Sequence, residues 1–376
     1  MNPIYFDNAA TTAIDSRVLD TMLPYLKEFY GNPSAIHGAG RKTRLAIEES
    51  RKKVASLLSC KPAEIFFTSC GTESTNTALQ GAVRNLDCKH IITSPIEHHA
   101  TLHTAAMLNR ELGVQIHFCK HNESGEIDYN QFTDLLNEVK GQGKTLVSIM
   151  HANNELGIIN DIEKIGALCK ERAILFHSDM VQTIGHLPIE LDKLAVDFVS
   201  ASAHKFHGPK GLGALYIHGA LKLEPLIYGG GQERNMRAGT EDVAGIVGFA
   251  KALELSIAEM VKENKHCAAL KEYCWSQLKQ ITDAVALSTS SLNTLPRVLS
   301  VLFPLDAKTE MLQMALDIKG IALSGGSACS SGAMGGSHVM NHVQTKACVP
   351  LRISFCKSNT MKEVDIFIKA LNELLN

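Results

Sequence analysis

Between about Arg17 and Ile217, short β-branched runs alternate with stretches of helical periodicity, and this alternation constrains the fold more than any other feature. RLAIEESRKKVASLL (44–58) places apolar residues at helical spacing, and the short apolar run EIFFTS (64–69) follows it. The same kind of run recurs at HIITS (90–94), GVQIHF (113–118), TLVSIM (145–150), AILFHSD (173–179) and VDFVSAS (196–202). Apolar runs without alternation belong to strands buried on both faces, and helical crossovers join parallel neighbours. The expected architecture is therefore α/β, with a mostly parallel central sheet in a large domain. In such sheets ligands bind beyond the carboxyl ends of the strands, so the residues just after each run carry most weight.

Past GGGQERNMRAGTED (229–242) the texture changes. A long helical pattern from Val243 to Ile281 has no strong breaker and no sustained heptad, and reads as a helix connecting two domains. RVLSVLF (297–303), GIALSG (320–325) and LRISF (351–355) then predict strands of a smaller α+β domain. A chain of 376 residues with 45% apolar and 20% charged residues can bury a full core. Its net charge of −2 gives no reason to expect nucleic-acid or membrane partners, and no apolar span reaches transmembrane length. The start, MNPIYFDNAATT, has neither a basic n-region nor an apolar h-region, so a cytoplasmic, reducing location is expected.

The densest chemical signal is FVSASAHKFHGPKGLGALYI (198–217), a strand, then His204-Lys205, then a Gly/Pro-rich turn and another strand. A lysine directly after a core strand sits at the ligand-binding edge, where desolvation lowers its pKa and frees the amine for Schiff-base chemistry. FHSDMVQTIG (176–185) adds Asp179 after a strand and Gln182 three residues on. Pyridoxal phosphate needs a lysine and an acid that keeps its ring nitrogen protonated. Taken alone, Asp179 is equally a helix N-cap or a magnesium ligand. FFTSCGTESTNTAL (66–79) reads as a strand, a turn and a helix start, where free backbone N–H groups bind phosphate. Gly71 there permits close approach and Thr72 offers a hydroxyl. In SPIEHHATLH (94–103), His99 and His103 have the i, i+4 spacing of a helical zinc pair, but the glutamate of HExxH is absent. The rival reading turns His98 toward a cofactor ring. GQGKT (141–145) is not a P-loop, since Glu138 stands where the first glycine is required.

Ten cysteines complete the inventory, none of them in a C-x-x-C pair. Cys60, Cys70, Cys88, Cys119, Cys169, Cys267, Cys274, Cys348 and Cys356 are irregularly spaced and read as structural thiols. Cys329 differs, because SGGSACSSGA (324–333) gives it almost nothing to pack against.

These stretches together closely resemble the cysteine desulfurases, pyridoxal-phosphate enzymes of the aminotransferase-like fold type I. The resemblance spans nearly the whole chain: YFDNAATT, GNPSAIH, TSCGTES, EHHA, MHANNELG, HSDMVQTIG, SAHKFHGPKG, GGGQERNMRAGTED, SGGSACSSG and LRISF occur in the family's order. It implies a large cofactor-binding domain over 13–255, and a small domain of 1–12 with 256–376 carrying a mobile cysteine loop at about 324–338. By the same resemblance, Lys205 holds pyridoxal 5'-phosphate covalently, Asp179 pairs with its ring nitrogen and Gln182 with its phenolic oxygen, and His98 stacks on the ring. Gly71, Thr72, Ser202 and His204 correspond to phosphate-binding positions, and Thr240 to a threonine reaching the phosphate across a homodimer interface. Asn154 and Arg352 correspond to the residues holding the substrate carboxylate, and Cys329 to the nucleophile that becomes a persulfide.

The implied reaction takes sulfur from L-cysteine, leaves L-alanine, and passes the sulfur from Cys329 to an acceptor protein such as an iron–sulfur scaffold or sulfur carrier. The destination is iron–sulfur cluster, cofactor or tRNA thiolation synthesis. A histidine, His98 first, is expected to assist deprotonation of the thiol. Selenocysteine lyase activity on the same fold is the alternative, and a metal-dependent hydrolase using His99 and His103 a remote third. Two features depart from the pattern. Cys356 stands where many relatives have glycine, and the chain ends at Asn376 without the tail with which some relatives dock a scaffold.

Overall fold

The computed structural model describes residues 3–122, 124–219, 221–288, 293–306, 308–325, 337–343 and 348–376. The chain opens with Ile4–Tyr5 (β1), Ser16–Lys27 (α1) and Gly38–Leu57 (α2). Ile65–Thr68 (β2), Gly71–Arg84 (α3), Cys88–Thr93 (β3), His99–Leu112 (α4) and Gln115–Phe118 (β4) follow. Tyr129–Glu138 (α5), Lys144–Ser148 (β5), Ile162–Glu171 (α6) and Leu175–Asp179 (β6) continue the alternation, and Phe198–Ser202 (β7) and Gly213–Ile217 (β8) end it. These strands form a seven-stranded sheet in the order β2-β8-β7-β6-β5-β3-β4.

The pairs β4/β3, β3/β5, β5/β6 and β6/β7 are parallel, as buried apolar runs joined by helices require. Only β8 runs against its neighbours β7 and β2, because the Gly/Pro-rich turn after Lys205 is too short for a crossover. From β3 the chain steps out to the edge strand β4 and then returns to β5 on the other side of β3. That reversal makes β3/β5 a topological switch point, and a crevice opens beyond the strand ends there. The strands are shorter than the apolar runs predict; β5 stops at Ser148, which leaves Ile149 and Met150 to lead into that crevice.

Val243–Ile281 (α7) is one helix of 39 residues, with the boundaries its periodicity predicts. Asp242 caps it by accepting from Gly245 N at 2.9 Å. Its first half packs Phe249 and Leu253 into the core beneath the sheet, with Ile47, Val199 and Phe206. Its second half packs Cys267, Leu270, Cys274 and Leu278 into another core, which also takes Ile4 and Phe6 from the start of the chain.

That second core is completed by Val285–Ala286 (β9), Val298–Pro304 (β10), Leu312–Ile318 (α8), Ile321–Ala322 (β11), Cys348–Ser354 (β12) and Met361–Leu375 (α10), while His338–Val343 (α9) packs Val339, Met340 and Val343 into a separate cluster with Ile96, Leu156 and Leu302. β12, β10 and β9 form an antiparallel sheet, and β1 pairs in parallel with β11. The N-terminal strand is thus pinned beside the C-terminal sheet, which fixes where the next residues lie. No helix among the described residues is long and apolar enough to cross a membrane.

Candidate active site

Four strand ends and the N-terminal segment converge on a cavity of about 230 Å³. Lys205 enters it from a short turn after β7, a strand buried along its whole length. Its Nζ donates to the carbonyls of Ala9 at 2.7 Å and Ala10 at 2.8 Å. The segment carrying those carbonyls is held by Thr12 N donating to His204 O at 2.9 Å and by Gln182 Nε2 donating to Ala9 O at 3.0 Å. Buried Arg297 completes the clamp by donating to Asn8 O at 3.0 Å and Lys205 O at 3.3 Å, and it also contacts His186.

Asp179 ends β6 inside the same cavity. Burial pushes its carboxyl up to about 6, against the lowering influence of Val181 N–H, which donates at 2.9 Å, and of the Lys205 charge. Two residues back, His177 lies on the same face of β6. It bridges Ser148 Oγ at 2.9 Å and Ser200 Oγ at 3.0 Å, and Ser200 Oγ also accepts from Thr75 Oγ1 at 3.0 Å. This polar chain ties β5, β6 and β7 to α3, and burial holds His177 neutral at about 3.

An anion cradle adjoins these groups. Gly71 begins α3, whose 14 residues direct free backbone N–H groups and the positive end of the helix dipole outward. A Cβ at Gly71 would lie 2.6 Å from Val181 Cγ2, so the close packing there demands glycine. Thr72, Ser202 and His204 line the same cavity, and Ser202 Oγ is buried with no partner among the described residues. His204 Nδ1 meets Thr11 Oγ1 at 3.1 Å, and burial, with a smaller push from Lys205, lowers its pKa to about 4.

His98 is the N-cap of α4, its Nδ1 accepting from Ala100 N at 3.1 Å. Burial first, and the Lys205 charge second, lower its pKa to about 4. The neutral ring therefore carries its proton on Nε2 and acts as a donor there. A base role toward a thiol requires the other tautomer and the loss of that cap. Neighbouring Glu97 is fully buried and accepts from Met150 N at 2.7 Å, and burial holds its carboxyl well above the usual range.

At the opposite end, Arg352 reaches the cavity from β12. Its Nη2 pairs with Asp7 Oδ1 at 2.7 Å and donates to Ser324 Oγ at 3.1 Å, and its Nη1 donates to Asn154 O at 3.0 Å. Asn154, predicted as its partner, lines the cavity with it.

Three predicted features fall elsewhere. Thr240 is exposed in a separate hollow beside Arg237 and Glu233, outside the Lys205 cavity of this chain. Cys329, with Gly326 and Gly332, lies outside the described residues. His99 and His103 do share a face of α4, their rings 4.8 Å apart, with His338 4.4 Å from His99. No group of three metal-ligating side chains among the described residues is arranged to hold an ion.

Sequence reasoning missed Asp7, Arg297, His177 and the Ala9 and Ala10 carbonyls. YFDNAATT does mark the segment that carries Asp7, Ala9 and Ala10, but main-chain acceptors leave no residue-type signature.

The family model for aminotransferase class-V matches residues 4–367. The chain is 44% identical to cysteine desulfurase IscS of Dictyoglomus turgidum, over 93% of this chain and 87% of that protein. It is 42% identical to cysteine desulfurase IscS of Methanosarcina thermophila, over 99% of this chain and 92% of that one. Among solved structures, a NifS-like protein superposes with a TM-score of 0.91 at 40% identity, over 99% of both chains. SspA in complex with cysteine superposes at 0.80 with 33% identity, over 94% of this chain and 98% of that one.

Proposed function

This chain belongs to the aminotransferase class-V family and is a cysteine desulfurase, and on that premise we propose that its Lys205 cavity holds pyridoxal 5'-phosphate and delivers the sulfur of L-cysteine to Cys329. The observation that carries this reading is the pairing of two unmet demands in one cavity. Asp179 is a buried carboxyl short of a cation, and Ser202 Oγ is a buried hydroxyl without a partner, beside a helix N-terminus built for an anion. A protonated pyridine nitrogen and a phosphate meet both demands.

In this reading Gly71, Thr72, Ser202 and His204 hold the phosphate, Gln182 the phenolic oxygen, and His98 covers the ring. When bound, the cofactor supplies an electron sink for negative charge at the substrate Cα. Lys205 Nζ anchors it and then takes the Cα proton, which the carbonyls of Ala9 and Ala10 are placed to steady. Arg352 and Asn154 orient the substrate carboxylate. Cys329 as thiolate attacks the substrate sulfur, the S–S bond forming as the substrate Cβ–S bond breaks. The electron pair stays with the carbon fragment, which is protonated and leaves as L-alanine, and Cys329 carries the sulfur to an acceptor protein, an iron–sulfur scaffold or sulfur carrier. The other thiols support this division of labour, since burial pushes Cys60, Cys88, Cys119 and Cys267 up to about 12 and keeps them protonated. Cys60, Cys70, Cys88, Cys119, Cys169, Cys267, Cys274 and Cys356 are free thiols, which agrees with a reducing, cytoplasmic setting.

A homodimer belongs to the same reading. Tyr30, Ile36 and Tyr228 expose large apolar surface, and exposed Thr240 would complete the partner's phosphate site.

The test is a visible spectrum of the purified protein before and after L-cysteine, with alanine release measured alongside. The expected result is a cofactor band that shifts on addition, and a Cys329→Ser variant that keeps the band but forms no persulfide. Normal sulfur transfer by that variant would sink the assignment of Cys329. Turnover of selenocysteine without turnover of cysteine would replace the reading with a lyase.

A further inference from the structure

Arg352 is 2% exposed and its guanidinium is already paired with a carboxylate of the chain itself. A guanidinium offers five N–H donors, and a carboxylate can grip it with two bonds in only two ways, side-on through Nε and Nη2 or end-on through Nη1 and Nη2. Both ways use an Nη2 hydrogen. Here Nη2 donates toward Asp7 Oδ1 at 2.7 Å and Ser324 Oγ at 3.1 Å, two acceptors crowded on the same side of it. Ser324 Oγ in turn donates to Asp7 Oδ1 at 2.8 Å, which closes a three-membered ring of contacts. The Nε–H is buried with no partner among the described residues, so one donor of the side-on face stays open while its neighbour is taken.

Nothing about this arrangement is loose. Asp7 forms a parallel bridge to Ser354, and Ser324 an antiparallel bridge to Arg352 itself, with Arg352 N donating to Ser324 O at 2.7 Å. The backbone therefore carries the Asp7 carboxylate to the guanidinium whether or not a substrate is present.

We propose that Asp7 is an internal counter-charge held in the substrate-carboxylate seat, and that a substrate carboxylate binding at Arg352 must share the guanidinium with it. This deepens the proposed desulfurase reading and rests on Arg352 being the carboxylate clamp. A substrate carboxylate entering beside Asp7 shares one guanidinium with a second negative charge, which weakens its binding. The same charge repels inorganic anions, which lack the ammonium group that an amino acid brings with it. Asp7 thus sets affinity and selects amino acids over simple anions at a cavity end that would otherwise be strongly anion-seeking.

The experiment compares Asp7→Asn with the parent holoenzyme, using L-cysteine as substrate and inorganic sulfate as the anion probe. Asparagine keeps the shape and an acceptor oxygen but removes the charge. The expected result is a KM for L-cysteine about tenfold lower, the factor that ~1.4 kcal/mol of relieved repulsion gives, with kcat changed far less. Sulfate should inhibit the variant competitively at roughly tenfold lower concentration than the parent, by the same conversion. It should also raise the melting temperature of the variant and not of the parent, a readout that needs no turnover. Ser324→Ala removes the hydroxyl that competes for Nη2 while leaving the ion pair, and should shift KM the same way by a smaller factor. A raised KM in Asp7→Asn, or sulfate responses equal to the parent's in both variants, would overturn the proposal. A parent that releases no alanine would sink the desulfurase reading instead, and the sulfate melting comparison would still decide the role of Asp7.

Discussion

The two ends of the Lys205 cavity answer to opposite electrostatic rules. At the Asp179 end, polar groups are buried with their bonding unfinished: the Asp179 carboxyl is pushed up to about 6, and Ser202 Oγ has no partner among the described residues. At the Arg352 end the charge is already met, by Asp7 at 2.7 Å and by Ser324 and Asn154. An unfinished site gains by keeping a ligand, because a buried polar group without a partner costs about 1–3 kcal/mol. The Arg352 end has its charge already paired and leaves only its Nε–H without a partner among the described residues, so it gains less from a newcomer and releases it more readily. The difference fits a resident cofactor at one end and a substrate that must leave as product at the other.

The largest effects should follow from emptying the first end. Lys205→Ala is expected to lower alanine release by about 10⁴-fold, the upper range for loss of a positioned proton-transfer group. Residual turnover near the parent's would break the contrast outright. Asp179→Asn removes the charge that meets the ring cation and should slow turnover by about 10²–10³-fold, as loss of one preorganised electrostatic partner does. It should also weaken cofactor retention, read by dialysis and absorbance.

The second end should respond in affinity instead. Arg352→Lys keeps a positive charge but loses the planar fork, so KM for L-cysteine should rise by roughly 10–100-fold. A fall in kcat with KM unchanged would show that Arg352 belongs to the chemistry and not to the shared seat.

Acid should separate the two ends. On the proposed reading Asp179 meets a cationic ring only when ionised, so cofactor affinity should fall by about tenfold per pH unit below about 6. The fold itself should weaken over a neighbouring range. Burial lowers His98, His121, His151 and His204 to about 4, and His177 and His186 to about 3. Their folded-state values lie below the unfolded value of about 6.5, so the unfolded chain binds more protons. That stability is present above pH ~6.5 and is lost as pH falls toward 4. Asp179, Glu97, Glu155 and Asp197, all raised by burial, oppose it, but four carboxyls do not offset six imidazoles acting with the lowered carboxyls of Asp15, Glu259 and Glu263. A urea midpoint that stays flat between pH 7 and 4.5, at either cofactor loading, would contradict these burial assignments.

The smallest effect is expected at Cys356, which is buried near neither reactive group and meets Ser358 Oγ at 3.1 Å. Cys356→Ala should leave kcat within about twofold and cost about 1 kcal/mol of stability by its small cavity. A large loss of sulfur transfer would return it to the list of functional thiols.

The two ends also differ in how far they could be read in advance. Gly71, Thr72, His98, Asp179, Gln182, Ser202, His204 and Lys205 each sit just beyond a run that announces a strand, and the strand-end rule gathers them. Arg352 was legible only through resemblance, since a lone arginine in LRISF has no local mark. Asp7, 345 residues away from it, stood in the marked segment YFDNAATT with nothing to tie it to Arg352.

The roles given to the candidate groups came from resemblance, but periodicity determined by itself the parallel sheet, the 39-residue connecting helix and the strand ends beside which those groups stand. These are properties of short stretches, in which spacing and residue type act over a few neighbours. Only the tertiary structure decided that the N-terminal strand lies against the C-terminal sheet. That placement puts Ala9 and Ala10 carbonyls on Lys205 Nζ and the Asp7 carboxylate on Arg352. Contacts between the two ends of a chain depend on which apolar surfaces pack together, here Ile4 and Phe6 against Leu351, Ile353 and Phe355, and no local pattern encodes that choice.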